Sequence, residues 1–538
     1  MAVAAQLLVT GRIATLDGPT GFGWVEALAI GHGRILAAGR LADVEALVGA
    51  RTRRLMLPPD AVALPGLVDA HLHLVDAALA ARHIDLEGAS FEDALGRIGA
   101  AAAGSASGSW VQGAGWDPAT FGRWPTAADL EGVAPARDVL LWSHDRHAVW
   151  VSEGVLGRAG VVATTDDPTG GAIRRDASGA ATGILHETAV QFGLAVLPSP
   201  TVEELAEAMT AYARELVRLG LVGAHDPGDL NVSPTAITTL TRLSESERLP
   251  IRVHRSVRAA GLEHAIEGGL RTGDRIGADP VGRLRMGWLK LFTDGALGSR
   301  TALMLEPFEG DGGLGIAVTG PAELARLAGR AAAAGIVPQI HAIGDAALRH
   351  ALDALEPVAP QTGPMARVEH VQVANERDLP RFAAARIGAS IQPIHLRTDR
   401  EKAHAAWGKA RAERDSFRLS SLIDAGATIA FGTDAPVEPA DPWPGIALAV
   451  TRVASSWPDH RPFAPSEAID LAAALRAATI GPATLAGDPI GGRLLPGSRA
   501  DLIVLPAAVL DDPVEPGGAL ERARPSFVMI DGEVVFQA

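Results

Sequence analysis

The middle of the chain alternates between short apolar segments, each ending in a polar or glycine-rich turn, and longer segments with helical periodicity. The apolar segments are "VALPGLVDAHLHLVDA" (62–77), "GLVGAHDPG" from 220, "IRVHRSV" from 251, "WLKLFTDG" from 288, "GIVPQIHAIGD" from 335, "RVEHVQV" from 367, "IGASIQP" from 387 and "ATIAFGTDAP" from 427. Helical patterns such as "PAELARLAGRAAAAG" (321–335) and "SFRLSSLIDAG" (416–426) lie between them. Eight strands that alternate with helices predict an α/β fold, specifically a (β/α)8 TIM barrel.

Two further regions are predicted outside the alternating pattern. A long stretch separates the first and second strands, and its Trp- and Gly-rich turns predict a small α+β insertion at about residues 85–215. The chain ends, 1–61 and 487–538, contain short β-type runs around the turns His32-Gly33 and Asp531-Gly532. Neither end has enough apolar surface for its own core, so we expect one split β-sandwich built from both termini, with the barrel at 62–486.

The amino-acid composition limits the class of protein, its partners and the metal ligands that the chain can supply. The 538 residues are 47% hydrophobic and 21% charged, as in a globular protein, and the net charge of −15 argues against nucleic-acid binding. We find no basic signal region and no unbroken apolar run of about 18 residues, so we expect a cytoplasmic protein that does not bind a membrane. Because the chain has no cysteine, a metal ion must be bound by histidine, carboxylate or a modified lysine.

Metal-binding residue types stand at the ends of the predicted strands. In an extended strand, His71 and His73 would point to the same side, which is a chelating arrangement. The other polar residues at strand ends are Lys290, His341, His370 and Asp434. The carboxyl ends of barrel strands converge on one mouth, and four imidazoles with a carboxylate suit zinc or a similar divalent ion. The alternative is a set of strand-end residues that only make local hydrogen bonds.

Lys290 lies in the apolar segment "WLKLF", where a free ammonium group is costly. Reaction of its amine with CO2 would give a carbamate, an anion that could bridge two metal ions about 3.5–4 Å apart. The alternative is an ordinary lysine paired with an acidic neighbour such as Asp294, in which case the site could hold one ion.

Motifs along nearly the whole chain resemble the amidohydrolase superfamily, family 3, the group that includes the N-substituted formamide deformylases. The motifs are "LPGLVDAHLHL", "GAGWDPATF", "DRHAVWVS", "KLFTDGALGSRTA", "IHAIGDAA", "RVEHVQV", "IQPIH", "GTDAPVEPADPWPGI" and "GRLLPGSRADLIVL". The resemblance implies that one metal ion is bound by His71, His73 and Asp434 and a second by His341 and His370, with Lys290 as the bridge.

Several further residues are candidates for binding the substrate, and each also has a structural interpretation. Asp145 and His147 could reach the substrate from the insertion or form a turn, and Trp116 could line the pocket or belong to the insertion core. Asp294, Ser299 and Arg300 could contact substrate or hold a loop together through Asp-to-backbone bonds. Gln392 and His395 follow the seventh strand, and His225, at the end of the second, could support the metal ligands.

The predicted activity is hydrolysis of a non-peptide C–N bond, as in an N-substituted formamide or a related linear amide. A metal-bound hydroxide would attack the carbonyl carbon of this small-molecule substrate, and Asp434 would pass the proton to the leaving amine. The same site could instead open a cyclic amide or deaminate a heterocycle, and a third possibility is a non-catalytic binding or regulatory protein. We also expect a homo-oligomer, specifically a dimer.

Overall fold

The computed structural model describes residues 4–18, 21–106, 108–143, 148–168, 171–229, 235–298, 300–310 and 312–538. These residues form two compact units. One unit comprises 1–77 with 209–538, and the other comprises 78–208.

The larger unit contains the predicted barrel. Its eight parallel strands, in the described part of the chain, are β1 (Leu67–Asp69), β2 (Leu221–Asp226), β3 (Arg252–Arg258), β4 (Leu284–Phe292), β5 (Pro338–Ala342), β6 (Arg367–His370), β7 (Gly388–Ile391) and β8 (Thr428–Phe431). Each strand pairs with the next in chain order, and the Ala70 N–H donates to the Phe431 carbonyl (2.9 Å) to draw the first and last strands together. The strands are buried, as expected where helices cover one face of a parallel sheet. The barrel prediction is confirmed.

Helices follow the barrel strands along the chain. The α-helices outside the insertion and the terminal sheet are Leu74–Ala80, Val202–Arg218, Ala236–Glu245, Leu262–Glu267, Pro321–Ala333, Asp345–Leu355, Leu379–Ala384, Leu396–Trp407, Lys409–Asp415, Leu419–Asp424, Pro442–Thr451, Leu471–Ala477 and Ile480–Leu485. Short 3-10 turns occupy Ala259–Gly261, Pro393–His395 and Pro465–Glu467. None of the described helices is long and apolar enough to cross a membrane.

The segment that begins the barrel is divided between two sheets. Ala61–Pro65 pairs antiparallel with Leu502–Pro506 in the terminal sheet, and only Leu67–Asp69 belongs to the barrel. Gly66 separates the two, and a Cβ at this position would lie 2.4 Å from the Val222 side chain. The expectation that His71 and His73 lie within an extended strand is therefore wrong, because both follow the end of β1.

Strands from both termini pair with each other, as predicted, and in the structure they form a single connected sheet. It joins Leu7–Ala14, Trp24–Gly31, Arg34–Gly39, Arg53–Met56 and Ala61–Pro65 with Leu502–Pro506, Phe527–Ile530 and Glu533–Gln537. The short helices Leu41–Val44 and Ala508–Asp511 and the 3-10 turn Glu45–Leu47 flank these strands in the chain. The predicted turns connect adjacent strands, and apolar residues such as Val9, Leu28, Leu502 and Met529 form a shared core.

The unit formed by residues 78–208 is the predicted α+β insertion. Its sheet contains Ile84–Asp85, Val111–Trp116, Val139–Ser143, Ala148–Val151, Gly171–Arg175 and Ala181–Glu187. Its helices are Phe91–Gly104, Pro118–Phe121, Ala127–Val133, Glu153–Arg158 and Val190–Val196. Trp116 and Trp150 lie fully buried in its core, with ring centroids 6.3 Å apart.

Candidate metal centre

The predicted ligands meet at the carboxyl ends of the barrel strands. The structure places His71 and His73 after β1, Lys290 in β4, His341 in β5, His370 at the end of β6 and Asp434 after β8. The most compact group consists of His71, His370 and Asp434, whose potential ligand atoms all lie within 4.8 Å of one another. These positions follow from the parallel topology, because all eight strands direct their carboxyl ends to the same mouth.

The rings of His71 and His73 both lie close to Asp434. The His71 Nδ1–H donates to a carboxylate oxygen of Glu369, and the His73 Nδ1–H donates to the Gly228 carbonyl (2.6 Å). Nε2 is therefore the nitrogen of each ring that is left to face Asp434, and these nitrogens lie 3.4 and 3.3 Å from the same carboxylate oxygen. A nitrogen and an oxygen this close need a proton or a cation between them. Ligands of a tetrahedral zinc ion with bonds of about 2.0–2.1 Å stand roughly 3.3 Å apart, so these two nitrogen–oxygen distances fit the ion.

The electrostatics keep these groups in their ligand forms. Burial, followed by the charge of Lys290, lowers the pKa of His71 to about 4 and that of His341 to about 3, so both rings are neutral near pH 7. Burial and His341 place the pKa of His370 well below its usual value. Burial would raise the pKa of Asp434, but His71 and the other nearby histidines bring it well below its usual value, so it stays a carboxylate.

His341 lies beside the compact group. Its ring centroid is 4.5 Å from that of His370, which in turn is 4.9 Å from that of His71. The His341 Nε2–H donates to the Gly295 carbonyl (2.9 Å), so Nδ1 is the nitrogen left for a cation. His341 and His370 can therefore contribute to a second ion position next to the first.

Lys290 is 2% exposed, and its Nζ has no hydrogen-bond partner among the described residues. Burial lowers the pKa of Lys290 to about 8, against the attraction of Glu369 and Asp434. The alternative pairing with Asp294 is not observed, because the Asp294 carboxylate accepts backbone N–H groups of Leu303, Ile343 and Gly344. An amine that loses its proton this easily, and that has no hydrogen-bond partner in the described part of the chain, suits reaction with CO2.

Glu369 is a functional residue that the sequence reasoning missed. It is fully buried, its Oε1 lies 2.7 Å from the Arg367 Nε and accepts from the Gln339 amide (2.8 Å), and its Oε2 accepts from His71. Burial opposes its charge, but Arg367 and His71 hold its pKa far below the usual range. Glu369 therefore fixes the orientation and tautomer of His71. The available signal was the presence of two charged residues, Arg367 and Glu369, two positions apart in a predicted barrel strand.

Asp69 is a second missed residue. Its Oδ1 accepts the backbone N–H groups of His71 (2.9 Å) and Thr433 (3.1 Å), and its Oδ2 accepts the Thr433 hydroxyl (2.6 Å). It therefore ties the segment that carries His71 to the one that carries Asp434. In the sequence, Asp69 stands two residues before His71 in "LVDAHLH", and this short distance was the available sign of its role.

The residues predicted to bind substrate fall into different environments. The His395 Nε2 lies 3.3 Å from the Asp434 Oδ2, at the metal centre. The His225 Nδ1 accepts from Arg367 (2.9 Å) and so supports the ligands indirectly. Arg300 donates to the carbonyls of Glu309 and Ala405 in a loop.

Three of the candidate substrate residues, Trp116, Asp145 and His147, fall within the sequence of the insertion. Trp116 belongs to the core of the insertion, where its indole N–H donates to the Leu141 carbonyl (2.7 Å). This is the packing role that the sequence left open. Asp145 and His147, like Ser299, lie outside the described residues.

Known proteins are similar to this chain over most of its length. A sequence model of the amidohydrolase family matches residues 60–536. Protein LONG AFTER FAR-RED 3 of Arabidopsis thaliana is 32% identical over 518 residues, which are 94% of this chain and 87% of that protein. The N-substituted formamide deformylase of Arthrobacter pascens is 28% identical over 553 residues, covering 99% of this chain and 98% of the deformylase. The crystal structure of an uncharacterized metal-dependent hydrolase from Pyrococcus furiosus has a TM-score of 0.77 and 27% identity, covering 95% of this chain and 100% of that chain.

Proposed function

The chain belongs to the amidohydrolase family of metal-dependent hydrolases, and we propose that it hydrolyses the C–N bond of an N-substituted formamide or a related linear amide. The observation that carries this proposal is that Asp434 Oδ1 lies 3.4 Å from His71 Nε2 and 3.3 Å from His73 Nε2 at the carboxyl ends of the barrel strands. The likeness to a formamide deformylase over almost the full length of both proteins supports the substrate class.

The residues present fit two divalent ions, which we propose to be zinc. His71, His73 and Asp434 would hold one ion, His341 and His370 the other, and a carbamate formed on Lys290 would bridge them. Imidazole and carboxylate are ligands that zinc accepts. A carbamate would also account for the buried position of Lys290, whose Nζ has no hydrogen-bond partner among the described residues. When bound, such ions lower the pKa of water and polarise a carbonyl oxygen.

The chain's own residues then have defined roles. Asp434 would accept the proton of the attacking water and deliver it to the departing amide nitrogen, which otherwise leaves as an unstable anion. Its second oxygen faces His395, which keeps the carboxylate oriented. Glu369 holds the His71 ring, and Asp69 holds the backbone on both sides of the centre.

The test is a screen of zinc-loaded protein for amine, ammonia and formate release from N-substituted formamides, other N-acyl amines and cyclic amides. We expect amine release from linear amides, and loss of that activity in His370→Ala at equal protein concentration. Exposed His460 provides a control, because His460→Ala removes an imidazole far along the chain from any predicted ligand. Absence of turnover on every amide in zinc-replete protein would contradict the proposal and favour a binding or regulatory role.

One observation favours a second candidate function. The tightest group, His71, His370 and Asp434, could hold a single ion without Lys290. Deamination of a heterocycle usually uses one metal ion, so one ion per chain together with ammonia release would favour that reaction. The predicted homodimer and cytoplasmic location stay predictions.

A further inference from the structure

Three barrel strands, β2, β3 and β7, contribute no candidate metal ligand. The ligands come from the ends of β1, β4, β5, β6 and β8. Side chains at the ends of these three strands are therefore free of metal binding and available to contact a substrate at the mouth. Among these, β7 lies between β6, which carries His370, and β8, which leads to Asp434.

Gln392 directly follows β7 and has an unusual environment. The residue is 1% exposed, and neither its Oε1 nor its Nε2 has a hydrogen-bond partner among the described residues. The buried Gln339 is different, because its amide accepts from Ser256 and donates to Glu369. A buried carboxamide without partners is costly, and native proteins rarely keep one unless it serves a purpose.

The strand register places Gln392 on the inner face of the barrel. Ser390 is paired with Glu369 on one side and Ala430 on the other, and Glu369 points inward because it contacts His71. Residues two apart in a strand share a face, so Gln392 follows Ser390 one level closer to the mouth.

The turn after Gln392 leads directly to the metal centre. The Gln392 carbonyl accepts the His395 N–H (3.1 Å), and the His395 side chain lies 3.3 Å from Asp434. The Gln392 carboxamide, which has no hydrogen-bond partner among the described residues, therefore lies on the same turn as His395, and the His395 side chain is next to the candidate ligand Asp434.

We propose that Gln392 binds the amide group of the substrate, with Oε1 accepting the amide N–H and Nε2 donating to the carbonyl oxygen. This pairing uses a primary amide, or the cis conformer of a secondary amide, in which the N–H and the C=O lie on the same side. A carboxylate ligand would leave Oε1 without a donor, and an ammonium ligand would leave Nε2 without an acceptor. Only a group with both a donor and an acceptor fills both atoms. This inference rests on the proposed function and narrows it: secondary and primary amides are substrates, whereas tertiary amides and esters are discriminated against.

The experiment compares kcat/KM for N-butylformamide and N-butyl-N-methylformamide, which differ in the amide N–H. Removing the partner of a buried polar group reduces kcat/KM by about 10- to 100-fold, so the wild type should prefer the secondary amide by that factor. Gln392→Met removes both polar atoms at similar size, and the preference should fall towards one. Ser390→Ala is the matched control, because the Ser390 hydroxyl is also buried without a hydrogen-bond partner among the described residues but lies one level deeper on the same face. It should keep the wild-type preference.

A second variant guards against misfolding. Gln392→Glu keeps the shape and an accepting oxygen, so it should retain more of the preference than Gln392→Met. Equal loss of kcat/KM for both substrates in both variants, or an unchanged preference, would overturn the proposal and leave Gln392 as a residue bridged by water only.

The role of Gln392 can be tested even if the proposed amide hydrolysis is wrong. If the wild type hydrolyses neither formamide, both compounds serve as unreactive ligands for calorimetry on the zinc-loaded protein. Tighter binding of N-butylformamide that is lost in Gln392→Met supports the Gln392 inference. Equal binding of the two compounds contradicts it.

Discussion

Glu369→Gln tests whether a residue that only orients a metal ligand affects metal binding, because Glu369 contacts the candidate ligand His71 and is not itself a candidate ligand. The change removes one negative charge and one acceptor and keeps the side-chain volume. In the native protein, the Glu369 carboxylate lies 2.7 Å from the Arg367 guanidinium and accepts from the His71 ring, with both carboxylate and guanidinium fully buried. The substitution therefore leaves the Arg367 cation buried without its counter-ion and frees the His71 ring to rotate.

Two magnitudes follow. Breaking a buried ion pair by neutralising one partner costs about 3–5 kcal/mol of stability, because the remaining charge is uncompensated. Losing the carboxylate that orients a metal-binding histidine typically reduces metal affinity about 10- to 100-fold. Glu369 should show both effects although it does not itself face the cation position.

Two assays check these values. Urea unfolding of metal-free protein measures the stability loss, and zinc titration against a chromophoric chelator measures the affinity. Glu376→Gln is the control, because Glu376 is exposed and carries the same charge change. Glu369→Gln protein that binds zinc as tightly as the wild type, with stability within about 1 kcal/mol, would refute the positioning role.

Three further predictions follow from the same centre. Lys290→Ala should lose the second ion and most activity, with partial rescue by a short carboxylic acid that replaces the carbamate; unchanged metal content by elemental analysis would contradict the bridging role. Asp434→Asn keeps a ligating oxygen but not the base, so kcat should fall by about 10²- to 10⁴-fold while bound zinc falls much less, and a near-normal kcat in metal-replete protein would assign the proton transfer elsewhere. Burial and then Arg367 keep the pKa of His225 well below 6.5, so the unfolded chain binds a proton that the native ring does not. Metal-free wild type should therefore lose stability as the pH falls from 6.5 to 5.5, with His225 contributing about 1 kcal/mol of the loss and the buried His71, His341 and His370 adding to it with the same sign. Urea unfolding at both pH values should show a loss that is smaller by about 1 kcal/mol in His225→Gln.

The barrel could be predicted from the sequence because its strands are short apolar runs with polar ends. The segments around Lys290, His341 and Asp434 each place a polar residue within or just after a buried apolar run. Parallel topology alone brings such ends together, so the candidate ligands could be found without knowing any side-chain position.

The supporting residues could not be found in this way. Glu369 and Gln339 lie below the mouth, inside strands, and their contact depends on the register between β5 and β6. A sequence shows that a charged residue stands within an apolar run, but its partner is set by neighbouring strands. Ala61–Pro65 illustrates the same limit, since its apolar pattern fits either sheet until the pairing with Leu502–Pro506 is known.

Local sequence also left the roles of Asp294 and Trp116 open. Asp294 stands beside a predicted ligand strand, but its carboxylate is occupied by three backbone N–H groups. Trp116 belongs to a motif of the family resemblance, yet its ring packs in the insertion core. In both cases the deciding fact is a contact with residues distant in sequence.

Zinc titration of chelator-stripped protein, with amide hydrolysis followed at each addition, tests the central claim of a two-ion hydrolase most directly. The predicted result is no hydrolysis in the stripped protein and full activity at about two zinc ions per chain. Hydrolysis by metal-free protein would contradict the metal-dependent account, and a plateau at one ion per chain would contradict the binuclear centre.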